Sequence, residues 1–182
     1  IVLCKLLLYH YELKETLLYK ERIRIMFHYY KLFWINMFNI NDRARRKAFW
    51  YPVLMNIIVS IVGSLLNSVL PIPNWFALTI AIIFNIATTI GMYTVTVRRN
   101  HDIGMTMKFA TVLYGLTILF SILEFGPVYQ GINNLPIPES IIMAIGGILM
   151  VIFVVLCIIS IALCVTSGQK EPNQYGENPK YT

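Results

Sequence analysis

Charged residues are missing from long stretches of this chain and crowded into the gaps between them. Between Val53 and Val97 there is no Asp, Glu, Lys or Arg, and between Phe109 and Val165 there are only Glu124 and Glu139. A helix in a soluble core keeps a polar face, so apolar runs of this length belong in lipid. Four stretches predict transmembrane helices, at 53–70, 76–97, 109–125 and 141–165. At a rise of about 1.5 Å per residue the second and fourth cross comfortably and the first just spans the hydrocarbon. The third has about 15 residues before Glu124, so it crosses if Lys108 snorkels and the helix extends to Phe125. Turn chemistry falls where helical hairpins need it. Pro71 and Pro73 follow the first span, and Gly126, Pro127, Pro136 and Pro138 follow the third.

Ahead of the spans, Phe27, Tyr30, Phe33, Trp34, Met37 and Phe38 recur at helical spacing within 26–40. Beside a membrane this stripe predicts an amphipathic helix lying in the cytoplasmic interface, with a packed or partner-binding helix as the other reading. With the basic segment that follows, it occupies 26–48. Residues 1–25 are more charged and begin at Ile1. If Lys20-Glu21 is encoded AAG-GAG, it resembles a ribosome-binding site ahead of Met26. The expectation is therefore that Met26 is the natural start and 1–25 an upstream extension, which the intact mass of the native protein decides.

Charge orients the bundle. Lys and Arg number 15 against 9 acidic residues, a net charge of +6. Arg43, Arg45, Arg46 and Lys47 precede the first span, Arg98, Arg99 and Lys108 separate the second and third, and Lys170 and Lys180 follow the fourth. The loops at 71–75 and 124–140 contain neither Lys nor Arg. Every basic residue then lies on one side of a four-span bundle, and the positive-inside rule makes that side cytoplasmic, with both chain ends inside and the tail at 167–182. Trp50, Tyr51 and Trp75 stand at span ends, where interfacial aromatics belong. Because the basic residues flank apolar spans, the positive charge does not read as a nucleic-acid surface. Cys157 and Cys164 sit in an apolar run as small hydrophobes, and no cysteine or histidine spacing frames a disulfide or a metal.

The first two spans form an antiparallel hairpin, which can bring Arg43, Arg45, Arg46, Arg98, Arg99, His101 and Asp102 together at its cytoplasmic end. A structural role weighs more. Cations complement a helix C-terminus, Asp102 can pair with any of these arginines, and Gly104 can supply the helix exit. The functional counterpart is a site for an anionic phosphate of a lipid or ligand, at roughly 1 kcal/mol per basic residue. Inside the spans Asn56, Asn67 and Asn85 favour interhelical hydrogen bonds of roughly 0.6 kcal/mol each. A polar route using Asn56, Asn85 and Thr88/Thr89 is the alternative, although proton and ion relays usually place a charge at mid-membrane. Ser60/Ser64 and Gly146-Gly147 are expected to be close-packing positions. His101 and Asp102 lack a nucleophile, and there is no phosphate loop, so neither catalysis nor a cofactor is expected.

Four motifs occur in order. They are Arg43-Ala44-Arg45-Arg46-Lys47-Ala48-Phe49-Trp50-Tyr51, Thr94-Val95-Thr96-Val97-Arg98-Arg99, His101-Asp102-Ile103-Gly104, and Asn173-Gln174-Tyr175-Gly176-Glu177-Asn178-Pro179. This series resembles the domain of unknown function 805 family, small bacterial inner-membrane proteins, over roughly 26–181. Departures include Asp42 for the family's usual Gly, Ala48 for a frequent Glu, and Asn100 for the usual Leu. The resemblance implies an all-α, multi-pass inner-membrane protein and no particular activity. The expected function is a non-enzymatic membrane protein whose basic cytoplasmic face binds anionic lipid headgroups or a protein partner, a second copy of the chain included. The alternative is a small transporter or channel.

Overall fold

The computed structural model describes residues 2–123, 128, 131–132 and 138–180, with side chains from residue 10 onward. Five helices of named extent occur among them: α1 (Val2–Ile35), α2 (Arg46–Val69), α3 (Asn74–Asp102), α4 (Lys108–Leu123) and α5 (Glu139–Val165). Three of them, α2, α3 and α5, are long and apolar enough to cross a membrane. The helix expected at 109–125 is α4, of 16 residues, or about 24 Å. Its predicted end at Phe125 lies outside the described residues, as do Glu124, Gly126, Pro127 and Pro136.

Prolines begin and end these elements where a missing N–H costs least. Pro73 is the N-cap of α3 and Pro138 that of α5. The expected exit at Gly104 is a Schellman turn. The amide of Met105 donates to the Asn100 carbonyl at 2.8 Å and that of Gly104 to the His101 carbonyl at 3.1 Å. Gly104 itself has φ +83°, a conformation that favours a residue without Cβ.

Interior packing concentrates at one end of the bundle. Phe33, Ala44, Phe49, Val95 and Cys164 form the buried apolar cluster, whereas α5 and the far halves of α2 and α3 present apolar side chains outward. That is the distribution lipid requires, because hydrocarbon supplies no drive to bury Leu against Leu. The helix expected within 26–40 ends at Ile35 and runs unbroken through Met26. Its aromatic stripe divides. Phe27 and Phe38 are exposed, whereas Tyr30 donates its hydroxyl to Asn56, Trp34 reaches Phe84, and the Phe33 ring lies where a Cβ on Gly91 would be. Gly146 and Gly147 have no neighbour in close contact among the described residues, so no close-packing role for them is seen there.

α4 follows α3 after the turn at 103–107 and packs against it. Tyr93 and Tyr114 meet edge to face, and hydroxyl pairs link Tyr93 to Thr111 at 3.1 Å and Thr96 to Tyr114 at 3.2 Å. Further along, Phe120 of α4 meets Phe153 of α5. The start of α2, the end of α3, the start of α4 and the end of α5 therefore gather at one pole.

Candidate functional site

Polar groups are buried together at that pole. Arg43, Arg98, Arg99, Asn100, His101 and Asp102 are each no more than 8% exposed, at the pole of a bundle whose α2, α3 and α5 are long and apolar. Such groups persist inside a protein only if their hydrogen bonds are met or if something else holds them.

Arg43 meets the condition fully. Its Nε donates to Asp102 Oδ1 at 3.1 Å. Nη1 donates to the carbonyls of Glu171 at 3.0 Å and Gly176 at 3.2 Å, and Nη2 to those of Gln169 at 2.6 Å and Asp102 at 3.4 Å. All five donors of a guanidinium are thereby used. Arg99, completely buried, donates from Nε to the Cys164 carbonyl at 3.3 Å, from Nη1 to the Ala44 carbonyl at 3.3 Å and to Asp102, and from Nη2 to the Thr166 carbonyl. The Cys164 and Thr166 carbonyls belong to the C-terminal turn of α5, where orphan acceptors and the helix dipole favour a cation. Asp102 takes both arginines, one on each oxygen.

The carboxyl-terminal tail closes over this knot. The Gln169 amide donates to the Asp102 carbonyl at 2.8 Å, and Asn173 Nδ2 to the His101 carbonyl at 2.9 Å. Asn178 Nδ2 donates to the Gln169 carbonyl at 2.7 Å. The ring of Tyr175 lies flat on that of His101, with centroids 3.6 Å apart. Gly168 is required at the approach, since a Cβ there would strike the Asp102 carboxylate. The tail motif is visible in the sequence, but nothing there marks its residues as partners of Arg43. Their signal was the motif itself, with its two Asn side chains and one Gly.

The remaining basic residues behave otherwise. Arg46 is exposed and reaches only the Val165 carbonyl, at 3.4 Å. Arg45, half-buried, and Arg98, 8% exposed, each carry a buried Nε without an acceptor. Both line a cavity of about 570 Å³ between α1, the segment leading into α2, and the end of α3. Asp42 stands on its rim, hydrogen-bonded by Asn39. The seven residues grouped from the sequence are thus neighbours, but they serve two different environments.

Of the three intramembrane asparagines, Asn67 and Asn85 share a groove and Asn56 lies apart from it. Asn56 Oδ1 accepts from Tyr30 at 3.2 Å. Asn67 and Asn85 line a separate, mostly apolar groove between α2 and α3, of about 780 Å³, with Ser60 and Ser64. Thr88 turns its hydroxyl back to the carbonyls of Phe84 and Asn85.

The family profile described as "Protein of unknown function (DUF805)" matches residues 37–177, a stretch that includes Arg43, Arg99, Asp102 and the tail as far as Glu177. No curated protein and no solved structure matches the chain. With that match over most of its length, the chain belongs to the domain of unknown function 805 family.

Proposed function

We propose that this is a non-enzymatic protein of the bacterial inner membrane, with four spans and both ends in the cytoplasm, whose basic cytoplasmic face engages anionic lipid. The observation that carries the reading is the division of the arginines. Arg43 and Arg99 are consumed inside the fold, whereas Arg46 and Lys47, with Lys108 and Lys170, stay exposed at the same pole. Each such residue near an anionic surface contributes about 1 kcal/mol. Asp102 and His101 are engaged with arginines and with Tyr175, which supports a structural rather than a catalytic use of both.

The shared pole also supports a crossing by α4. It starts beside the end of α3, and α5 must begin far from that pole in order to end there. Single cysteines at Asn74 and Glu139, in a background without Cys4, Cys157 and Cys164, are expected to react with an impermeant reagent outside the cell, and one at Lys170 is not. Labelling at Lys170 from outside overturns the topology. For the lipid contact, nanodiscs of phosphatidylcholine and phosphatidylglycerol in equal parts are expected to show phosphatidylglycerol enriched around the protein. The triple variant Arg46→Gln/Lys47→Gln/Lys170→Gln lowers that enrichment, and an unchanged value rules the contact out.

A further inference from the structure

We propose that the cavity between α1 and the end of α3 is a binding site for a phosphate group, held between Arg45 and Arg98 at the amino terminus of α2. The site deepens the reading of the basic face and rests on it for the location of the phosphate at the cytoplasmic boundary.

Three independent features meet there. Arg98 is more than nine-tenths buried, yet among the described residues no side chain or carbonyl accepts from its guanidinium. A buried charge without a hydrogen-bonded counter-ion is costly, and Asp42, the carboxylate that acts on Arg98, stays beyond ion-pair distance, so an acceptor of full negative charge is the chemistry this position calls for. Arg45, the N-cap of α2, brings a second guanidinium, also with an unpartnered Nε, to the same cavity. The helix it caps runs 24 residues and has no capping side chain on its first-turn amides, so an anion at its N-terminus meets both the dipole and free N–H donors. Ala48, in the first turn, lines the cavity and leaves space at that approach.

The walls add hydrogen-bonding groups without filling the charge deficit. His28, Tyr29 and Asn36 face the cavity from α1 and the turn after it. Asp42 is the carboxylate on the rim, more than 4 Å from either guanidinium because it forms no ion pair with them, and its oxygen is taken by Asn39. Arg43 also borders the cavity, but all its donors point into the knot. Two planar forks around one centre match the tetrahedral oxygens of phosphate better than a single carboxylate. A volume of about 570 Å³ exceeds what a bare phosphate fills, so the ligand is a phosphate ester, either a lipid headgroup or a soluble monoester.

The test uses the full chain in nanodiscs of pure phosphatidylcholine, titrated calorimetrically with inorganic phosphate and with glycerol 3-phosphate at constant ionic strength. Saturable binding is expected, with glycerol 3-phosphate the tighter probe. Arg98→Gln and Arg45→Gln each weaken it by about tenfold or more, the loss of a charge-assisted fork, while Arg46→Gln/Lys47→Gln leaves it unchanged. Arg98→Lys keeps the charge but loses the fork and falls between. Repeating the titration with phosphatidylglycerol in the discs separates the sources. Competition assigns the cavity to a lipid headgroup, and undiminished glycerol 3-phosphate binding assigns it to a soluble ester. Absence of saturable binding to either probe, or equal binding by Arg98→Gln that unfolds at the wild-type temperature, overturns the site. Lipid enrichment that still responds to Arg46, Lys47 and Lys170 then leaves the surface contact standing without the cavity.

Discussion

Two pairs of arginines from the same two motifs meet opposite fates. Arg43 and Arg99 are surrounded by carbonyl oxygens and share Asp102, whereas Arg45 and Arg98, close to them in sequence, find no acceptor among the described residues. The backbone explains the separation. Arg98 and Arg99 are consecutive on a helix, so their side chains leave it about 100° apart. One enters the junction between α3 and α5 and the other turns toward α1. Arg43 precedes the N-cap, where the loop is pinned to α3 by the Ala44 amide donating to the Arg98 carbonyl at 3.0 Å, and Arg45 is the residue at which the chain enters α2. The difference teaches that a cluster of cations in a sequence is not one site. Each guanidinium takes the role of whatever negative group the fold brings within reach.

The largest effect expected is at the shared acceptor. Asp102→Asn leaves Arg43 and Arg99 buried without their carboxylate and costs about 3–5 kcal/mol, read as a fall in thermal unfolding temperature of the purified protein in micelles. The contrast between the pairs then sharpens on one helix. Arg99→Met is expected to destabilise by a similar amount, whereas Arg98→Met, which removes a buried charge lacking a partner, is neutral or stabilising. Equal losses at the two positions would erase the distinction drawn here.

Gly168→Ala probes the knot from the tail. The new methyl group meets the Asp102 carboxylate, so the tail or the carboxylate must move, at roughly 1–3 kcal/mol. Faster hydrogen exchange at the Gln169 amide is the specific sign, since that amide donates to the Asp102 carbonyl. Tyr175→Ala removes one ring of the stack on His101 and costs roughly 0.5–1.5 kcal/mol, confined to local opening of 169–178. The smallest effect belongs to Arg46→Gln. Its exposed side chain makes one long hydrogen bond, so stability changes by about 0.5 kcal/mol or less while lipid preference shifts.

Much of the architecture was legible in residue order. The apolar stretches at 53–70, 76–97 and 141–165 each became a helix long enough to cross, because lipid compatibility depends on composition along a single segment. Gly104 ended α3 as expected, since a left-handed residue after a helix is a local demand. The helix within 26–40 was legible as a helix but not in its placement. Helical spacing places Phe27 and Phe33 on one stripe, yet only Phe33 found a neighbour small enough, Gly91, to receive its ring. Gly146-Gly147 misled for the same reason, since small residues permit close approach without compelling it.

What residue order determined by itself is therefore the membrane character, the crossing helices, their breaks and the pole where positive charge gathers, all properties of single segments and their immediate flanks. Tertiary structure alone decided which arginine is spent and which is left over. That choice turns on Asp102 meeting Arg43, on α5 ending beside Arg99 and on a tail glycine passing over a carboxylate. Such contacts join residues far apart in the chain, and hydrogen bonding acts over about 3 Å, a distance that spacing in sequence does not encode.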